Sequence, residues 1–420
     1  MKTLASAVPP LPVATEDAAH PNRRGERAVA YWLLFCCGMI FAMVVIGGVT
    51  RLTLSGLSIT EWQPVTGIVP PLSEAAWIAE FEKYKQIPQY KLLNHGMSLS
   101  EFKTIFFWEY LHRLWGRLIG IVYALPLLYF VIRRRIPRRL ALPLAGIFLL
   151  GFAQGALGWY MVQSGLSDRI SVSQYRLVAH LALALVIYAL TLWIALGILF
   201  GAQTRNPSPP FRGEREGPAP KAWEGEVGAG QRSGVSPLTP TLSSGGGERV
   251  SSAWRRGAEA IIALVALTIV AGGFVAGLHA GLTYNTFPLM DERFVPAGYA
   301  QLQPFVLNWF ENIAAVQFNH RLLAMLTAAL VALLWLAGRR AALSRPARLA
   351  LHLLLAAVAV QFALGIATLL LVVPVPLGAA HQAGAVVLLT AAIVFRHALQ
   401  VGQNRACKKF SRRYLCNRPY

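Results

Sequence analysis

Apolar positions in this chain fall in long unbroken blocks. They do not follow the alternating pattern of a half-buried strand or the one-sided stripe of a soluble helix. Eight blocks stand out, at about 30–49, 106–132, 140–162, 177–201, 258–278, 312–337, 349–373 and 379–395. A helix rises about 1.5 Å per residue, so about 20 apolar residues cross roughly 30 Å of hydrocarbon. Most of the blocks reach that length and the last is short. The pattern predicts an all-α polytopic membrane protein with eight transmembrane helices. Composition agrees, since 55% of the 420 residues are hydrophobic and 14% charged, against about 25% charged in soluble chains. The mean hydropathy is +0.49.

A net charge of +20 raises the question of nucleic acid, and its distribution answers it. Most Lys and Arg lie in alternate connections: the N-terminus, RRRIPRR at 133–139, the segment 202–257, GRRAALSRPAR at 338–348, and the end of the chain. That is the asymmetry that orients a membrane protein, and it predicts both termini in the cytoplasm. Nucleic acid is not an expected partner; membrane lipid is. The loops at 50–105, 163–176, 279–311 and 374–378 are then outer. Four cysteines, Cys36, Cys37, Cys407 and Cys416, form no CxxC or Cys/His zinc spacing. The first apolar block starts near Ala30 and leads into further spans, unlike a cleavable signal. Residues 1–29 read as a cytoplasmic segment and 397–420 as a basic cytoplasmic tail. The Pro-, Gly- and Ser-rich stretch 202–257 reads as a disordered cytoplasmic linker.

The chain repeats itself around that linker. IGGVTRLTLSGLSITEWQPV at 46–65 aligns without a gap to AGGFVAGLHAGLTYNTFPLM at 271–290, pairing Gly47 with Gly272 and Gly48 with Gly273. EYLHRLWG at 109–116 aligns with QFNHRLLA at 317–324, and QGALG at 154–158 with QFALG at 361–365. Two four-helix bundles follow, residues 30–201 and 258–396, as a parallel repeat.

Each bundle carries two histidines near the outer ends of different helices: His112 and His180, then His320 and His381. Two imidazoles from facing helices are what a six-coordinate heme requires. Zinc would lack its third or fourth protein ligand. Arg113 and Arg321 directly follow a candidate ligand; they pair with heme propionates or snorkel to the headgroups. The other histidines lie in loops or at helix ends without a matched pair. The informative asymmetry is Glu109, whose repeat partner is Gln317. Glu109 and His112 share a helical face. A carboxylate there serves as a general acid or base, stabilises positive charge, or pairs with Arg113 or Arg117. Arg117 aligns with Met325 and has no assigned role. The longer first outer loop brings Trp62, Trp77, Phe81, Tyr84 and Tyr90, as a lid for a hydrophobic ligand or as an aromatic belt.

GGVTRLTLSGLSITEWQPVTGIVPP, EYLHRLWGR, AGLTYNTFPLM, FNHR and HQAGA resemble the heme A synthase family, over about 30–200 and 258–396. The resemblance implies an oxidoreductase of cytochrome oxidase biogenesis in a bacterial inner membrane. Successive hydroxylations and loss of water turn a methyl group of heme O into the formyl group of heme A. It implies a cofactor heme b held through its iron by His320 and His381, substrate heme held by His112 and His180, and a functional carboxylate at Glu109. A heme O synthase is the implied partner, the redox partner is unnamed, and whether the chain forms a homo-oligomer is open. Some bacterial members carry a cysteine pair in the first outer loop; residues 50–105 contain none. A di-heme electron-transfer cytochrome would share the four histidines but leave the Glu109/Gln317 difference without a role. A heme transporter or chaperone would need only the first pair.

Overall fold

The computed structural model describes residues 23–63, 66–167, 169–201 and 244–415. Among them, eight helices are long and apolar enough to cross a membrane, and the chain is a multi-pass membrane protein. They are α1 Arg23–Leu52, α2 Leu99–Ile132, α3 Arg138–Leu166, α4 Gln174–Gly201, α5 Ser244–Gly277, α6 Ile313–Arg340, α7 Arg345–Leu370 and α8 Val375–Leu415.

Several helices outrun their apolar blocks, because hydropathy reports only the part in hydrocarbon. α2 begins at Leu99 rather than near 106. Its start is set by a capping box, in which Ser98 accepts from the Glu101 amide and the Glu101 carboxylate accepts from the Ser98 amide. α6 starts where Asn312 accepts from the amides of Ala314 and Ala315. The last span is not short: its apolar part runs Val375–Gln400, 26 residues. The expected tail 397–420 therefore begins as helix, with 416–420 outside the described residues. Of the expected linker 202–257, residues 202–243 lie outside the described residues and 244–257 are the first turns of α5. Of the expected N-terminal segment, 1–22 lie outside the described residues and α1 begins at Arg23.

The helix contacts repeat with the sequence. α1 packs on α2 and α4, and α3 joins α2 to α4. In the second half α5 packs on α6 and α8, and α7 joins α6 to α8. The halves meet through α1, α4, α5 and α8. Leu33, Cys36 and Ile40 of α1 share one core with Leu185, Tyr188 and Leu192 of α4, Ile261 and Val265 of α5, and Leu389, Ala392 and Phe395 of α8. Within it the Tyr188 and Thr390 hydroxyls are hydrogen-bonded at 2.7 Å, linking α4 to α8. α2, α3 and α7 turn Leu125, Leu128, Leu142, Phe152, Leu353 and Val360 outward, as lipid-facing helices do. Arg51 of α1 donates to the carbonyls of Ala276 and Gly277, 2.9 and 3.2 Å away, at the C-terminus of α5. A cation belongs there, because the last carbonyls of a helix lack partners and carry partial negative charge.

The first outer loop is a folded lobe. Its helices Glu74–Tyr84 and Pro88–Leu92 bury Leu57, Phe81, Tyr84 and Ile87 against Phe102 and Phe106 of α2, with Trp77 and Tyr90 packed alongside. Tyr84 donates to Gln89, and Gln89 donates to the Leu54 carbonyl. Four of the five aromatics expected as a lid or belt thus make a core of their own, while Trp62 is half exposed.

The halves come close to backbone contact at Gly277, where a Cβ would lie 2.6 Å from the Gln174 Cβ and 3.0 Å from its Cα. Backbone cannot yield there as a flexible side chain would. Gly277→Val is expected to destabilise the protein by about 1–3 kcal/mol, read as a lower midpoint of thermal unfolding in detergent. Gly120→Ala, at a helix position with open space around it, serves as the control and is expected to leave the midpoint unchanged or raise it.

Candidate functional site

The four histidines stand on α2, α4, α6 and α8, and each lies against a glycine of a neighbouring helix. A Cβ on Gly47 would meet His112 Cε1 at 2.8 Å, and one on Gly158 would meet His180 Cε1 at 3.0 Å. A Cβ on Gly272 would meet His320 Cε1 at 2.9 Å, and one on Gly365 would meet His381 Cε1 at 2.9 Å. Three of these distances are shorter than real Cβ contacts and the Gly158 distance is at their lower edge, so a side chain at any of the four positions would press on the imidazole. Glycine inside a helix costs roughly 1 kcal/mol relative to alanine, and here the imidazoles occupy the space that cost makes available. The repeat alignment already paired Gly47 with Gly272 and placed Gly158 opposite Gly365. Their use was not legible, because it depends on which helix face meets which histidine.

In the second half the rings of His320 and His381 stand 6.4 Å apart at 90°. Two imidazole nitrogens about 2 Å from one metal ion, on opposite sides of it, place their ring centroids roughly 6 Å apart. The spacing therefore fits a single ion between the rings. The His320 Nδ1 lies 3.1 Å from the Thr268 carbonyl. A carbonyl only accepts, so Nδ1 carries the proton and Nε2 the lone pair a metal needs. In the first half His112 and His180 are close enough to interact electrostatically, and the Nδ1 atoms of both are buried without a partner. Among the described residues no group of three or more His, Cys, Asp or Glu could hold a metal. Each pair thus suits a metal that brings its own equatorial ligands, as heme does.

Two glutamines missed in the sequence reading accompany the second histidine of each pair. Gln154 donates to the His180 carbonyl at 3.0 Å and meets its Nε2 at 3.3 Å. Gln361 donates to the His381 carbonyl at 2.9 Å and meets its Nδ1 at 3.1 Å. The signal was present in the aligned QGALG and QFALG, whose glutamine coincides in both halves.

Glu109 is 3% exposed and fully engaged. Its Oε2 accepts from the Ser58 hydroxyl and the Ile59 amide, both at 2.8 Å, and its Oε1 accepts from Arg113 Nε at 3.0 Å and from Nη2. Accepting four bonds and donating none is the pattern of an ionised carboxylate. Arg113 also donates to the carbonyls of Ile59 and Glu61, at 2.7 and 3.0 Å. Glu109 and Arg113 together latch the lobe at 58–61 onto α2. Arg321 does the same in the second half, donating to the carbonyls of Tyr284 and Thr286 at 2.6 and 2.7 Å. Both arginines, read as propionate contacts or as snorkelling to the headgroups, grip equivalent backbone carbonyls. Arg117 extends the first grip by donating to the Gln63 carbonyl at 2.7 Å, and with Arg113 it lines a cavity of about 270 Å³ under the lobe. The second latch is incomplete. Gln317, 2% exposed, donates to the Tyr284 carbonyl at 3.2 Å, while its Oε1 and the Arg321 Nε are buried without partners.

Comparison with known proteins follows the same two halves. The model of the COX15-CtaA family, described as a cytochrome oxidase assembly protein, matches residues 30–216 and 239–393. The heme A synthase of Nitrosospira multiformis is 51% identical over 375 residues, 89% of this chain and 94% of its own length. That of Nitrosomonas eutropha is 48% identical over 384 residues, covering 91% and 96%. That of Rhodospirillum centenum is 50% identical over 379 residues, covering 90% of each.

Removing one member of a buried ion pair strands the other and costs about 3–5 kcal/mol. Glu109→Ala is expected to free the lobe, read as faster proteolysis within residues 58–98. Gln317→Glu adds the acceptor that Arg321 Nε lacks and is expected to raise the thermal midpoint, so a midpoint that falls would contradict this account of the second latch.

Proposed function

We propose, from the premise that this chain belongs to the COX15-CtaA family of cytochrome oxidase assembly proteins, that it is a heme A synthase, a membrane oxidoreductase that converts heme O to heme A. One observation carries the reading to particular residues: four imidazoles sit in matched glycine seats, and a buried carboxylate stands beside only one pair. Like seats mean both halves hold the same kind of group. The carboxylate marks the half where the chemistry differs.

We assign residues 258–396 to the cofactor and 30–201 to the substrate. His320 and His381 would hold heme b through its iron, and His112 and His180 would hold heme O. Bound heme b supplies one-electron redox chemistry. The Thr268 carbonyl supports the assignment by fixing the His320 proton on Nδ1, which is the order expected of a permanent site.

Glu109 acts through its charge. With four donors on its two oxygens it has no free lone pair aimed at a substrate proton, which argues against a general base in this arrangement. Oxidising a methyl group withdraws electrons from the substrate, and a fixed negative group one helical turn from His112 favours that change. Its hydrogen bonds hold the charge in place, so little reorganisation is needed during the reaction. Arg113 aims its guanidinium at the lobe carbonyls and anchors Glu109. The lobe covers this site from the outer side. The Lys and Arg distribution supports an orientation with the lobe on the non-cytoplasmic face and both termini inside, and the family reading makes that membrane a bacterial inner membrane. A heme O synthase in the same membrane is the partner that would hand over the substrate.

The test is pigment extraction from cells that make heme O and express the protein. Wild type is expected to yield heme A. Glu109→Gln is expected to lower the yield by about 10²–10³-fold with heme b content unchanged. His320→Ala and His381→Ala are expected to lose heme b. Undiminished heme A in Glu109→Gln would remove that residue from the reaction. Wild type that binds heme in both halves and makes no heme A would instead be a di-heme electron-transfer cytochrome.

A further inference from the structure

One side of α3 runs along α2, and its closure is interrupted. Leu144, Phe148, Gly151, Gly155, Trp159 and Val162 recur at helical spacing and share that side. At the end away from the lobe the side is closed. The Tyr123 hydroxyl of α2 donates to the Leu144 carbonyl at 2.9 Å, and the Tyr123 ring stacks on Phe148 with centroids 6.3 Å apart. At the lobe end Trp159 meets Trp62 at 6.4 Å, and Val162 packs on the lobe core. Phe148 and Trp159 are about 16 Å apart along the helix, and Gly151 and Gly155 stand between them. Both are exposed, and a Cβ on either would meet nothing within 4 Å. Gly120, one turn from Tyr123 on α2, is equally open.

The second half fills the same place. Extending the QGALG/QFALG alignment sets Val358 at the position of Gly151 and Phe362 at that of Gly155. Val358 is buried, and the Phe362 ring meets Phe287 edge-on at 6.0 Å. Phe287 is the repeat partner of Trp62, so a loop aromatic meets the third helix in each half. In the first half that contact lies one turn nearer the lobe, and the place beside it is left to glycine. The seam between α2 and α3 is accordingly looser than that between α6 and α7.

This seam joins the histidine site to the bilayer. Gly155 is one turn from Gly158, the seat of His180, and both His180 Nδ1 and Gln154 Oε1 are buried there without partners. Unpartnered buried polar atoms are costly unless a bound group answers them. On the other side Leu125 of α2 and Phe152 of α3 face outward. A ligand that fits has a polar centre at His180 and an apolar chain that lies in the seam. Heme O carries a farnesyl chain, which heme b lacks. Burying a chain from water is worth about 0.8 kcal/mol per methylene, so the chain belongs in hydrocarbon while the ring is bound.

Resting on the reading of the first half as the substrate site, we infer that the seam between α2 and α3 is a lateral window that holds the farnesyl chain of heme O. Gly151 and Gly155 make the first half accept a heme with that chain. Val358 and Phe362 close the second half to it.

The experiment titrates heme O and heme b into the purified full-length protein, with His320→Ala emptying the second half. Gly155→Phe copies the second half and is expected to weaken heme O binding about 10–100-fold while heme b binding stays unchanged. Gly151→Val is expected to act in the same direction. In the reciprocal arm His112→Ala empties the first half, and Phe362→Gly is expected to let the second half take up heme O. Heme O binding that is unchanged in Gly155→Phe, or weakened no more than that of heme b, overturns the window. Where Gly155→Phe does not fold, the reciprocal arm decides, and a Phe362→Gly protein that still refuses heme O overturns it. Heme O that binds undiminished in His112→Ala/His180→Ala overturns the substrate-half reading instead, and this inference falls with it.

Discussion

The architecture depends on a close approach of helix to imidazole. Each histidine ring fills the space that a β-carbon on the facing helix would occupy, four times over, at Gly47, Gly158, Gly272 and Gly365. A ring wedged against backbone has few rotamers left, so its direction is set by packing before any ligand arrives. The tandem glycines extend that constraint across the molecule. Gly47 seats His112, while Gly48, next in sequence, lies against Gln382 of the other half, adjacent to His381. Gly272 seats His320, while Gly273 meets Val178 and Leu181, which flank His180. Each Gly-Gly step therefore touches both sites. A shift of α1 or α5 large enough to reseat one histidine would disturb the contact beside a ligand in the opposite half.

On this common frame the polar groups divide the halves. The first lobe is fastened by a complete latch in which Glu109 satisfies Arg113, Ser58 and the Ile59 amide together. The second keeps the arginine and its two carbonyl contacts but leaves Arg321 Nε and Gln317 Oε1 unpaired. Unpaired buried groups cost about 1–3 kcal/mol each, so the second latch is the weaker by that reckoning. The histidine contacts differ as well: His320 Nδ1 donates to the Thr268 carbonyl and the Gln361 amide faces His381 Nδ1, whereas the Nδ1 atoms of His112 and His180 are buried without partners.

Much of this was legible in the sequence, to the depth that periodicity and repetition reach. Eight apolar blocks gave eight helices, and the repeat paired His112 with His320 and set Glu109 against Gln317. Helix ends were missed where polar turns continue beyond the hydrocarbon, as at Leu99, Ser244 and Leu415, because hydropathy is blind to helix in water. Trp77, Phe81, Tyr84 and Tyr90 were read as a lid or as an aromatic belt, because aromatic residues near a membrane suggest either. That they close a small core over Phe102 and Phe106 follows from tertiary contacts that no local pattern encodes. Arg113 and Arg321 were read as propionate contacts or as snorkelling to the headgroups, and neither reading anticipated backbone carbonyls as their partners. Their carbonyl partners lie 35 to 54 positions earlier in the chain, beyond any local pattern.

Duplication explains why so small a difference can separate two roles. Once both halves hold a group between two helices, the seats cannot vary without loss of binding, and the glycines and histidines stay matched. Freedom remains in the residues that touch those groups indirectly. Exchanging Glu109 for Gln317 replaces a carboxylate by a carboxamide within the same side-chain length and needs no change of helix or crossing. On the proposed assignment, that exchange separates the half that transforms its heme from the half that keeps it.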